Sequence, residues 1–519
     1  MKFSLLFRSA TTACFECGGN TPYFAEQPYR VLLDGVPVGA PFTTNVFSLF
    51  ELAPDTAYTV TAVCGEDTFS LAFCTERETC CVSARDFFAV GDGSADDTRA
   101  LQGAIDACPS GGRVLVPAGV YRTGPLTLKS CLTLELADGA TLLGSPDERD
   151  YAVLPGAVTD PVTGARVRIS SWEGEPKASH RSLLSAFRAH GIRIVGRGTI
   201  DGNGGNGPWW IAPKERAAGR PRLLFLNDCE DVTLHGVTCQ NAASWQLHPY
   251  FSRRLGFYDI RVLAPADSPN TDGCDPESCD AVQIIGAEFS VGDDAIAIKS
   301  GKIEMGRAYR TPASRHTIRN CRMRYAHGAV VLGSEMSGGV RDLAVTQCLF
   351  EDTDRGLRIK TRRGRGEDAV IDGVSFSNIR MDGVKTPLVI NMFYFCDRDG
   401  KSDYVQSRLP QPVDARTPRL GSFSFSDITA TGCAQAAGFF YGLPEQPIGE
   451  IRLENVSISC SPDAEPGFPA MLCGIEKMQR RGLCFLNVGR VTLKNVSLTG
   501  CAGEPVEAEN VGAIEGRCT

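Results

Sequence analysis

The chain has 519 residues, of which 43 % are hydrophobic and 22 % are charged, and its formal net charge is −8. This length accommodates two or three domains, or one large domain and a small one, and the composition is that of a soluble globular protein. The acidic balance argues against nucleic acid or an anionic membrane as a partner. The sequence contains no run of about 18 apolar residues, so we expect no transmembrane helix.

The 21 cysteines bear on the cellular compartment. Many of them fall in strand-like segments, where an odd-numbered set of thiols would risk mispairing under oxidising conditions, so free thiols in a reducing cytoplasm are the simpler expectation. The apolar patch of residues 3–7 is shorter than the roughly 7–15 residues of a secretory signal core. The pair Cys14 and Cys17 has no second pair of matching spacing, so we expect no metal site and no cofactor.

Residues 1–80 predict a small β-sandwich. Short alternating segments are separated by turn residues, such as Asp34 and Gly35, at the spacing typical of this fold. The segment 52–63 (LAPDTAYTVTAV) resembles part of a fibronectin type III domain. We expect this module to act as a spacer or packing domain without chemistry of its own.

A second unit is predicted over residues 86–519. It opens with a helical pattern at residues 100–108 (ALQGAIDAC), for which Ser94 or Asp96 would serve as the N-cap. The rest of the unit consists of short alternating segments bounded by Gly, Pro or Asp, without helices between them.

These short segments form an internal repeat. Apolar alternation restarts in steps of 25, 25, 34, 27 and 27 residues, and the 34-residue step contains an inserted loop at 301–314. The six copies begin at Val232, Phe257, Val282, His316, Leu343 and Val370. A period of this size without helices predicts a parallel β-solenoid, whereas a propeller blade needs about 40–45 residues. The expected fold class is therefore all-β.

Four polar clusters recur in phase with this repeat. They are Asn270-Thr271-Asp272-Gly273, Gly292-Asp293-Asp294, His327-Gly328 and Arg358-Ile359-Lys360. Stacked strands of a solenoid lie about 4.8 Å apart, so residues one period apart lie nearly above one another. The clusters are therefore expected on one face of the solenoid, over four successive coils.

This set of side chains favours glycoside hydrolysis. Inversion at a glycosidic carbon needs one protonated carboxyl and one carboxylate that activates water, roughly 6.5–9.5 Å apart. Asp272, Asp293 and Asp294 are expected to meet that separation from adjacent coils, and crowding of like charges would keep one of them protonated. The cationic pair Arg358 and Lys360 suits an acidic sugar.

The same motifs, in this order, resemble those of glycoside hydrolase family 28, the polygalacturonases, and the likeness covers most of residues 86–519. The resemblance implies a right-handed parallel β-helix and inverting hydrolysis of α-1,4-linked galacturonic acid. Asp293 would be the general acid, and His327 would hold it in its proper protonation state. Asp272 and Asp294 would activate the water molecule.

The resemblance also implies residues that contact the substrate. Arg358 and Lys360 would bind the galacturonate carboxylate, and Tyr394 falls about where the family has a substrate-contacting tyrosine. We add four further candidates for substrate binding: Asn270, Trp245, His248 and Glu335.

Residues 270–279, residues 333–339 and the N-terminal module look most like the bacterial exo-acting branch of the family. An exo enzyme needs a cleft that is blocked at one end, and the insertions 156–180 and 301–314 are candidates to block it. End-wise trimming suits a cytoplasmic enzyme, which meets only imported short oligomers. The expected partner is an acidic oligosaccharide, and a homo-oligomer is also open.

Three alternatives stay open. A pectate lyase of the same architecture would rely on calcium and an arginine base, for which the ordered aspartates and histidine are a poor match. A non-catalytic carbohydrate-binding β-helix would not need the acid–base set. Within the family, the substrate could instead be rhamnogalacturonan or xylogalacturonan.

Overall fold

The computed structural model describes residues 2–519. Over this range the protein is almost entirely β-structure, with an N-terminal unit followed by a long parallel β-helix. Its three α-helices and four 3-10 turns are short: α1 Thr98–Ala107, α2 Ile303–Tyr309, α3 Asp403–Gln406, and turns at Ala84–Phe87, Glu148–Asp150, Gly204–Asn206 and Pro208–Trp210. Within the described residues, none of the helices combines the length and apolar character needed to cross a bilayer.

The N-terminal unit contains two antiparallel sheets. Its strands are β1 Lys2–Arg8, β2 Ala13–Gly18, β3 Phe24–Leu33, β4 Val36–Pro37, β5 Phe42–Thr44, β6 Val46–Leu49, β7 Ala57–Cys64 and β8 Asp67–Cys74. Strands β1, β2 and β6 form one sheet and the others form the second. Residues of both sheets share one apolar core around Phe15 and Phe47, whose rings stack at 5.1 Å. The specific likeness to fibronectin type III stays a prediction.

The first part of the β-helix region also carries two small hairpins in an insertion. Its strands are β9 Cys81–Ser83, β10 Asp92–Asp96, β11 Gly112–Val116, β12 Gly119–Thr123, β13 Leu126–Thr127, β14 Leu132–Leu136, β15 Ala140–Gly144, β16 Val153–Leu154, β17 Ala157–Thr159, β18 Arg166–Arg168, β19 Ser179–His180, β20 Leu184–Phe187, β21 His190–Gly196, β22 Thr199–Asp201, β23 Leu224–Asn227, β24 Glu230–His235 and β25 Thr238–Gln240.

The second part continues the same winding. Its strands are β26 Leu247–Tyr250, β27 Arg253–Tyr258, β28 Arg261–Leu263, β29 Asp280–Ile285, β30 Glu288–Ser290, β31 Ile296–Ile298, β32 Ala313–Arg319, β33 Arg322–Arg324, β34 Val330–Gly333, β35 Val340–Thr346, β36 Leu349–Glu351, β37 Arg355–Lys360, β38 Val370–Asp382, β39 Thr386–Asn391, β40 Arg419–Leu420, β41 Ser422–Cys433, β42 Ala436–Tyr441, β43 Ile448–Cys460, β44 Arg481–Thr499 and β45 Val506–Cys518.

The strands of each coil are distributed over three parallel columns. In one coil, β26 of the first column lies on β23, β27 of the second on β24, and β28 of the third on β25. Side chains alternate between interior and surface, so Leu247, Leu255 and Val262 of this coil are all buried. Because successive coils bury equivalent positions, one continuous apolar core fills the β-helix.

The strand pairing confirms the predicted parallel solenoid and corrects two of its repeat boundaries. Val232 pairs with Leu255, and Leu255 pairs with Val282, so these steps are 23 and 27 residues instead of 25 each. Leu343 pairs with Val374, four residues later than the predicted start. Corner turns differ in length between coils, and alternation by itself does not reveal where a turn gains or loses residues.

Helix α1 begins after Asp97, not after the predicted caps Ser94 or Asp96, and the Asp97 side chain makes no capping bond. The Asp97 carboxylate instead accepts hydrogen bonds from the backbone N–H groups of Val90 at 2.6 Å and Gly91 at 2.9 Å. The residue before the helix therefore fastens the preceding loop, a contact that the local sequence pattern does not reveal.

The N-terminal unit lies along one corner of the β-helix, where second-column strands turn into the third column. Side chains of the unit hydrogen-bond to residues on several coils, and the carbonyl oxygen of Asn20 accepts a hydrogen bond from Asn378. The partners of the side chains are Glu135, His235, Asp259, Arg319 and Asn320. The unit therefore braces many coils at once. Strand β9 already pairs with β11, so β-helix pairing begins between the two predicted domains, 1–80 and 86–519.

Candidate active site

The four polar clusters lie at the edge where third-column strands turn into the first column. One stacked position of the first column is occupied in successive coils by Leu247, Cys274, Ile296, Val330 and Leu357. The residues two positions earlier stack at the turn, and they are Trp245, Asp272, Asp294, Gly328 and Arg355. The register therefore brings the clusters to one edge, as the phase of the repeat predicted.

Asp272, Asp293 and Asp294 form one group, in which one oxygen of each carboxylate lies within 4.8 Å of the others. The predicted separation of roughly 6.5–9.5 Å is wrong for these nearest oxygens. Asp272 and Asp294 are stacked one coil apart, and stacked strands lie only about 4.8 Å apart. A water molecule bonded at about 2.8 Å to two carboxylate oxygens still fits such a gap.

Asp294 is fully buried and accepts hydrogen bonds from two cations. Arg358 Nη1 lies 3.0 Å from Oδ1 and Lys360 Nζ lies 2.6 Å from Oδ2. Burial opposes ionisation, yet Lys360 and Arg358 outweigh it and hold the pKa of Asp294 below its usual range. The pair that the sequence assigned to a sugar carboxylate is thus also the counter-charge of Asp294.

The other two carboxylates have different surroundings. Burial raises the pKa of Asp272 well above its ordinary value, and the neighbouring Asp275 and Asp293 raise it further. Asp293 is more open, with 22 % of its side chain exposed, and contacts His327 Nδ1 at 3.2 Å. That hydrogen bond raises the pKa of His327. The group therefore combines an ionised carboxylate, Asp294, with a buried carboxyl, Asp272, whose protonated form is favoured.

Asn270 occupies the turn just before this group, with φ of 53°. Its side-chain oxygen accepts a hydrogen bond from Arg220 Nη2 at 2.6 Å. Arg220 is buried and also donates to the carbonyl oxygens of Ala243 and Pro269, both at 2.8 Å. Arg220 therefore fixes the turn that presents Asn270 and Asp272.

Trp245 and His248 are buried beside the site. Trp245 stacks on Trp172 at 5.9 Å, and Lys299 Nζ lies 4.8 Å from its ring. His248 has no exposed surface, its Nε2 lies 3.0 Å from Glu277, and burial lowers its pKa, so the ring is neutral. His248 has no surface with which to contact a sugar, so that prediction is wrong, and the ring supports the site through its contact with Glu277. Trp245 packs against Trp172 and Lys299.

Glu335 lies at the end of the cleft that the insertion 156–180 covers. The side chain is buried, and its Oε2 lies 3.3 Å from Lys299 Nζ. Burial opposes ionisation, but Lys299 and Arg365 lower the pKa of Glu335. Gly174 of the insertion packs directly on Glu335, because a Cβ at Gly174 would lie 2.7 Å from Glu335 Cγ. The insertion therefore reaches across the first column.

Tyr394 follows β39 and is nearly buried, with Lys360 Nζ 5.8 Å from the centre of its ring. It therefore lies beside the cationic pair, and its contact with the substrate stays a prediction. Three neighbouring arginines are instead engaged in ion pairs within the protein, Arg362 with Asp399, Arg363 with Glu445 and Arg365 with Asp397.

Two irregular segments wall the cleft. On the N-terminal side, insertion residues surround a cavity of about 530 Å³, lined among others by Trp172, Lys177, Arg216, Arg220 and Asn270. On the C-terminal side, the segment 461–480 places the carbonyl oxygens of Phe468 and Pro469 on Arg355, at 2.6 and 2.9 Å. In the same segment, the sulfur of Met471 lies 2.8 Å from Arg358.

Sequence reasoning missed Lys299, Arg220 and Trp172. Lys299 carries a signal, because alternation after the inward residues Ile296 and Ile298 puts it on the outer face of its strand, toward the cleft. Arg220 and Trp172 lie in irregular insertions, where no periodicity indicates the direction of a side chain.

Comparison with known proteins agrees with this geometry. A profile described as "Glycosyl hydrolases family 28" matches residues 113–411. A probable polygalacturonase of Vitis vinifera is 32 % identical over 395 residues, covering 73 % of this chain and 74 % of the relative. An exo-poly-alpha-D-galacturonosidase of Dickeya chrysanthemi is 29 % identical over 367 residues, covering 63 % of this chain and 60 % of the relative.

Solved structures resemble the fold. A family 28 exopolygalacturonase of Yersinia enterocolitica superposes with a TM-score of 0.71 at 20 % identity, over 99 % of this chain and 98 % of its own. An exopolygalacturonase of Thermotoga maritima gives 0.62 at 25 % identity, over 78 % and 95 %. With the matching profile and the Vitis relative, these findings make the protein a glycoside hydrolase that belongs to family 28.

Proposed function

We propose that this enzyme releases galacturonic acid units from the ends of α-1,4-linked oligogalacturonides, with inversion at the anomeric carbon. The observation that carries the proposal is the group of Asp272, Asp293 and Asp294 beside Arg358 and Lys360, in a walled cleft. The names of the relatives, which are polygalacturonases and exo-acting galacturonosidases, support the choice of substrate.

Asp293 is the proposed general acid. It is the most exposed of the three carboxylates, and His327, with half of its side chain exposed, bonds to it. The proton that Asp293 needs can come from Asp272, the neighbouring carboxyl whose pKa is raised, chiefly by burial, so that its protonated form is favoured in the resting enzyme. The proton lies on Asp293 when the glycosidic oxygen of the substrate arrives there.

Asp294 and Asp272 are the proposed groups that activate water. Asp294 stays ionised because of its two cations, and Asp272 becomes ionised when it passes its proton to Asp293. A water molecule between their oxygens can then lose a proton as it attacks the anomeric carbon.

Arg358 and Lys360 are proposed to bind the carboxylate of the sugar as well as Asp294. Only one Arg358 nitrogen and one hydrogen of Lys360 are needed for Asp294. A guanidinium has five N–H donors and an ammonium has three, so donors remain for a second carboxylate. Galacturonate supplies such a carboxylate on every residue, which favours it over neutral sugars.

End-wise action is proposed from the insertion 156–180. Its contact with Glu335 through Gly174 and its stacking of Trp172 on Trp245 close the cleft on the N-terminal side. A polymer cannot thread through a closed end, so only a chain terminus can reach the carboxylates.

A reducing, cytoplasmic location remains part of the proposal. All 21 cysteines are free thiols in the structure, and many of them are buried in strands. Such a set favours a compartment that does not oxidise them.

The test is product analysis over time on tri- to hexagalacturonate, with Asp293→Asn as the control. We expect steady release of monomer or dimer by the wild type and a loss of at least about a hundredfold in the variant. Random fragments from long substrate would contradict end-wise action. No release from any unbranched oligomer would move the assignment to a decorated pectin.

Stereochemistry tests the mechanism separately. Proton NMR during the first turnovers should record the β-anomer, because inversion converts the α-linkage. First appearance of the α-anomer would instead assign a covalent intermediate, for which the short spacing of the carboxylates would then be the reason.

A further inference from the structure

Three cysteines meet on the last coils of the β-helix. Cys433 ends β41, Cys460 ends β43, and the two are paired in register. Cys501 lies two residues beyond the end of β44, whose Thr499 pairs with Ser459. The sulfur atoms of Cys460 and Cys501 lie 3.5 Å apart.

We propose that Cys460 and Cys501 are a dithiol site that low-molecular-weight disulfides, such as glutathione disulfide, convert to a protein disulfide. A disulfide bond is about 2.05 Å long, so the two sulfurs need to approach by only about 1.5 Å. Cys501 is partly exposed, and Cys460 keeps 9 % of its surface, so a small disulfide can reach the pair.

Cys433 has a different part in the cluster. Its thiol is fully buried and contacts the carbonyl oxygen of Lys385 at 3.6 Å, so it is neither reachable nor free to turn. The neighbouring Cys433 side chain is the largest of the influences that lower the pKa of Cys460, followed by the Cys501 side chain. A thiol whose pKa is near the ambient pH attacks disulfides most efficiently.

The exchange proceeds in two balanced steps. The Cys460 thiolate attacks one sulfur of glutathione disulfide, a mixed disulfide forms, and one glutathione thiolate leaves. Cys501, after losing its proton to solvent, attacks the Cys460 sulfur and expels the second glutathione. The net reaction oxidises two protein thiols to one disulfide and reduces one glutathione disulfide to two glutathiones.

The position of the pair connects it to the cleft. Cys460 directly precedes the segment 461–480, which contacts Arg355 and Arg358. At the other end of that segment, the carbonyl oxygen of Arg480 accepts a hydrogen bond from the N–H of Ala502 at 2.7 Å. A bond between Cys460 and Cys501 would therefore join both ends of the segment that walls the C-terminal side of the cleft.

The experiment uses the full-length reduced protein, incubated with glutathione disulfide near pH 8, alkylated and digested for mass spectrometry. We expect a peptide cross-linked between Cys460 and Cys501, release of two glutathiones per cross-link, and a rise in Tm of roughly 2–4 °C. Cys501→Ser should stop at the mixed disulfide on Cys460, and Cys460→Ser should form neither product at this site.

Several outcomes would overturn the proposal. These are a Cys433–Cys460 cross-link in place of the expected one, a wild-type protein that stops at the mixed disulfide, or a Cys460 thiol that stays unmodified in the folded enzyme. The wild-type result decides the matter even if a serine variant folds poorly. The mass readout does not depend on the substrate, so it stands apart from the proposed hydrolase activity.

Discussion

The Asp294 carboxylate depends on its two cations for its charge. It is fully buried, a setting that by itself favours the neutral acid, and only Lys360 and Arg358 reverse that preference. The proposed mechanism needs Asp294 ionised. The fall of kcat at acidic pH should therefore depend on the ion pairs of Asp294 with Lys360 and Arg358.

Replacing Lys360 with Met should raise the pKa of Asp294, because one of the two stabilising charges is lost. The acidic limb of the kcat profile should move to higher pH by roughly 1–3 units. The expected KM for trigalacturonate also rises, since Lys360 is a proposed carboxylate ligand. Steady-state kinetics between about pH 3 and pH 8 measure both effects.

Lys360→Arg is the matched control, because it keeps the positive charge and should leave the acidic limb close to that of the wild type. An unmoved limb in Lys360→Met would mean that Lys360 does not keep Asp294 ionised.

At the scale of elements, the insertion 156–180 contributes no ladder to the β-helix, yet it covers the cleft. Its contact with the first column depends on Gly174, which has φ of +73° and sits against Glu335. The same insertion offers a second glycine, Gly164, with a similar φ of +69° and no neighbour within 4 Å. A substitution at either glycine strains the backbone, but only one at Gly174 also collides with a neighbouring side chain.

Gly174→Ala should loosen the closed end of the cleft. Both Gly174→Ala and Gly164→Ala place a side chain in the left-handed region, at a cost of about 1–2 kcal/mol, but only the first collides with Glu335. We expect an increase in KM for trigalacturonate of about tenfold and the appearance of internal cuts in long substrate. Kinetics and product sizes measure these changes.

Gly164→Ala is the control, and its kinetics should match those of the wild type. Equal behaviour of the two variants would show that the insertion does not close the cleft through this contact.

At the scale of the whole molecule, the N-terminal unit meets the β-helix through buried titratable groups. His235 is fully buried between Thr12 and Ser48, each at 2.9 Å, and Ser48 also donates to Asp259 at 2.5 Å. Burial lowers the pKa of His235 to about 3 and raises that of Asp259 to about 7. The contributions of the two groups to the free energy of unfolding therefore change with pH in opposite directions.

Between about pH 6.5 and pH 4, His235 is protonated in the unfolded chain but not in the folded chain, so acidification lowers the free energy of unfolding. Over the same range Asp259 is protonated in the folded chain but not in the unfolded chain, so acidification raises the free energy of unfolding. Each slope is at most roughly 1.4 kcal/mol per pH unit. In the wild type the two slopes oppose each other.

Asp259→Asn should therefore lose Tm more steeply than the wild type between pH 7 and pH 5, and His235→Asn should lose less or gain. Thermal unfolding at both pH values, monitored by calorimetry, measures the difference. Identical slopes in all three proteins would contradict the assigned protonation states. Comparing the Tm values of one protein at the two pH values removes the loss of stability that the substitution causes at every pH.

The sequence by itself indicated the parallel β-helix, because alternation that restarts every 25 to 34 residues without helices is satisfied by stacking equivalent positions. It also determined that the four polar clusters share one edge, since clusters in phase with the repeat must lie above one another. The match of these motifs to family 28 followed from the same residues. The sequence reveals these periodic features because every coil repeats the same alternation of buried and exposed residues.

Only the tertiary structure decided how these residues interact. The close approach of Asp272 to Asp294 depends on register at atomic detail, and the pairing of Asp294 with Lys360 joins residues 66 positions apart. The burial of His248 and the role of Arg220 follow from irregular insertions, whose course is set by packing against other coils. Such contacts have no period in the sequence, because each one depends on which distant segment happens to occupy the neighbouring space.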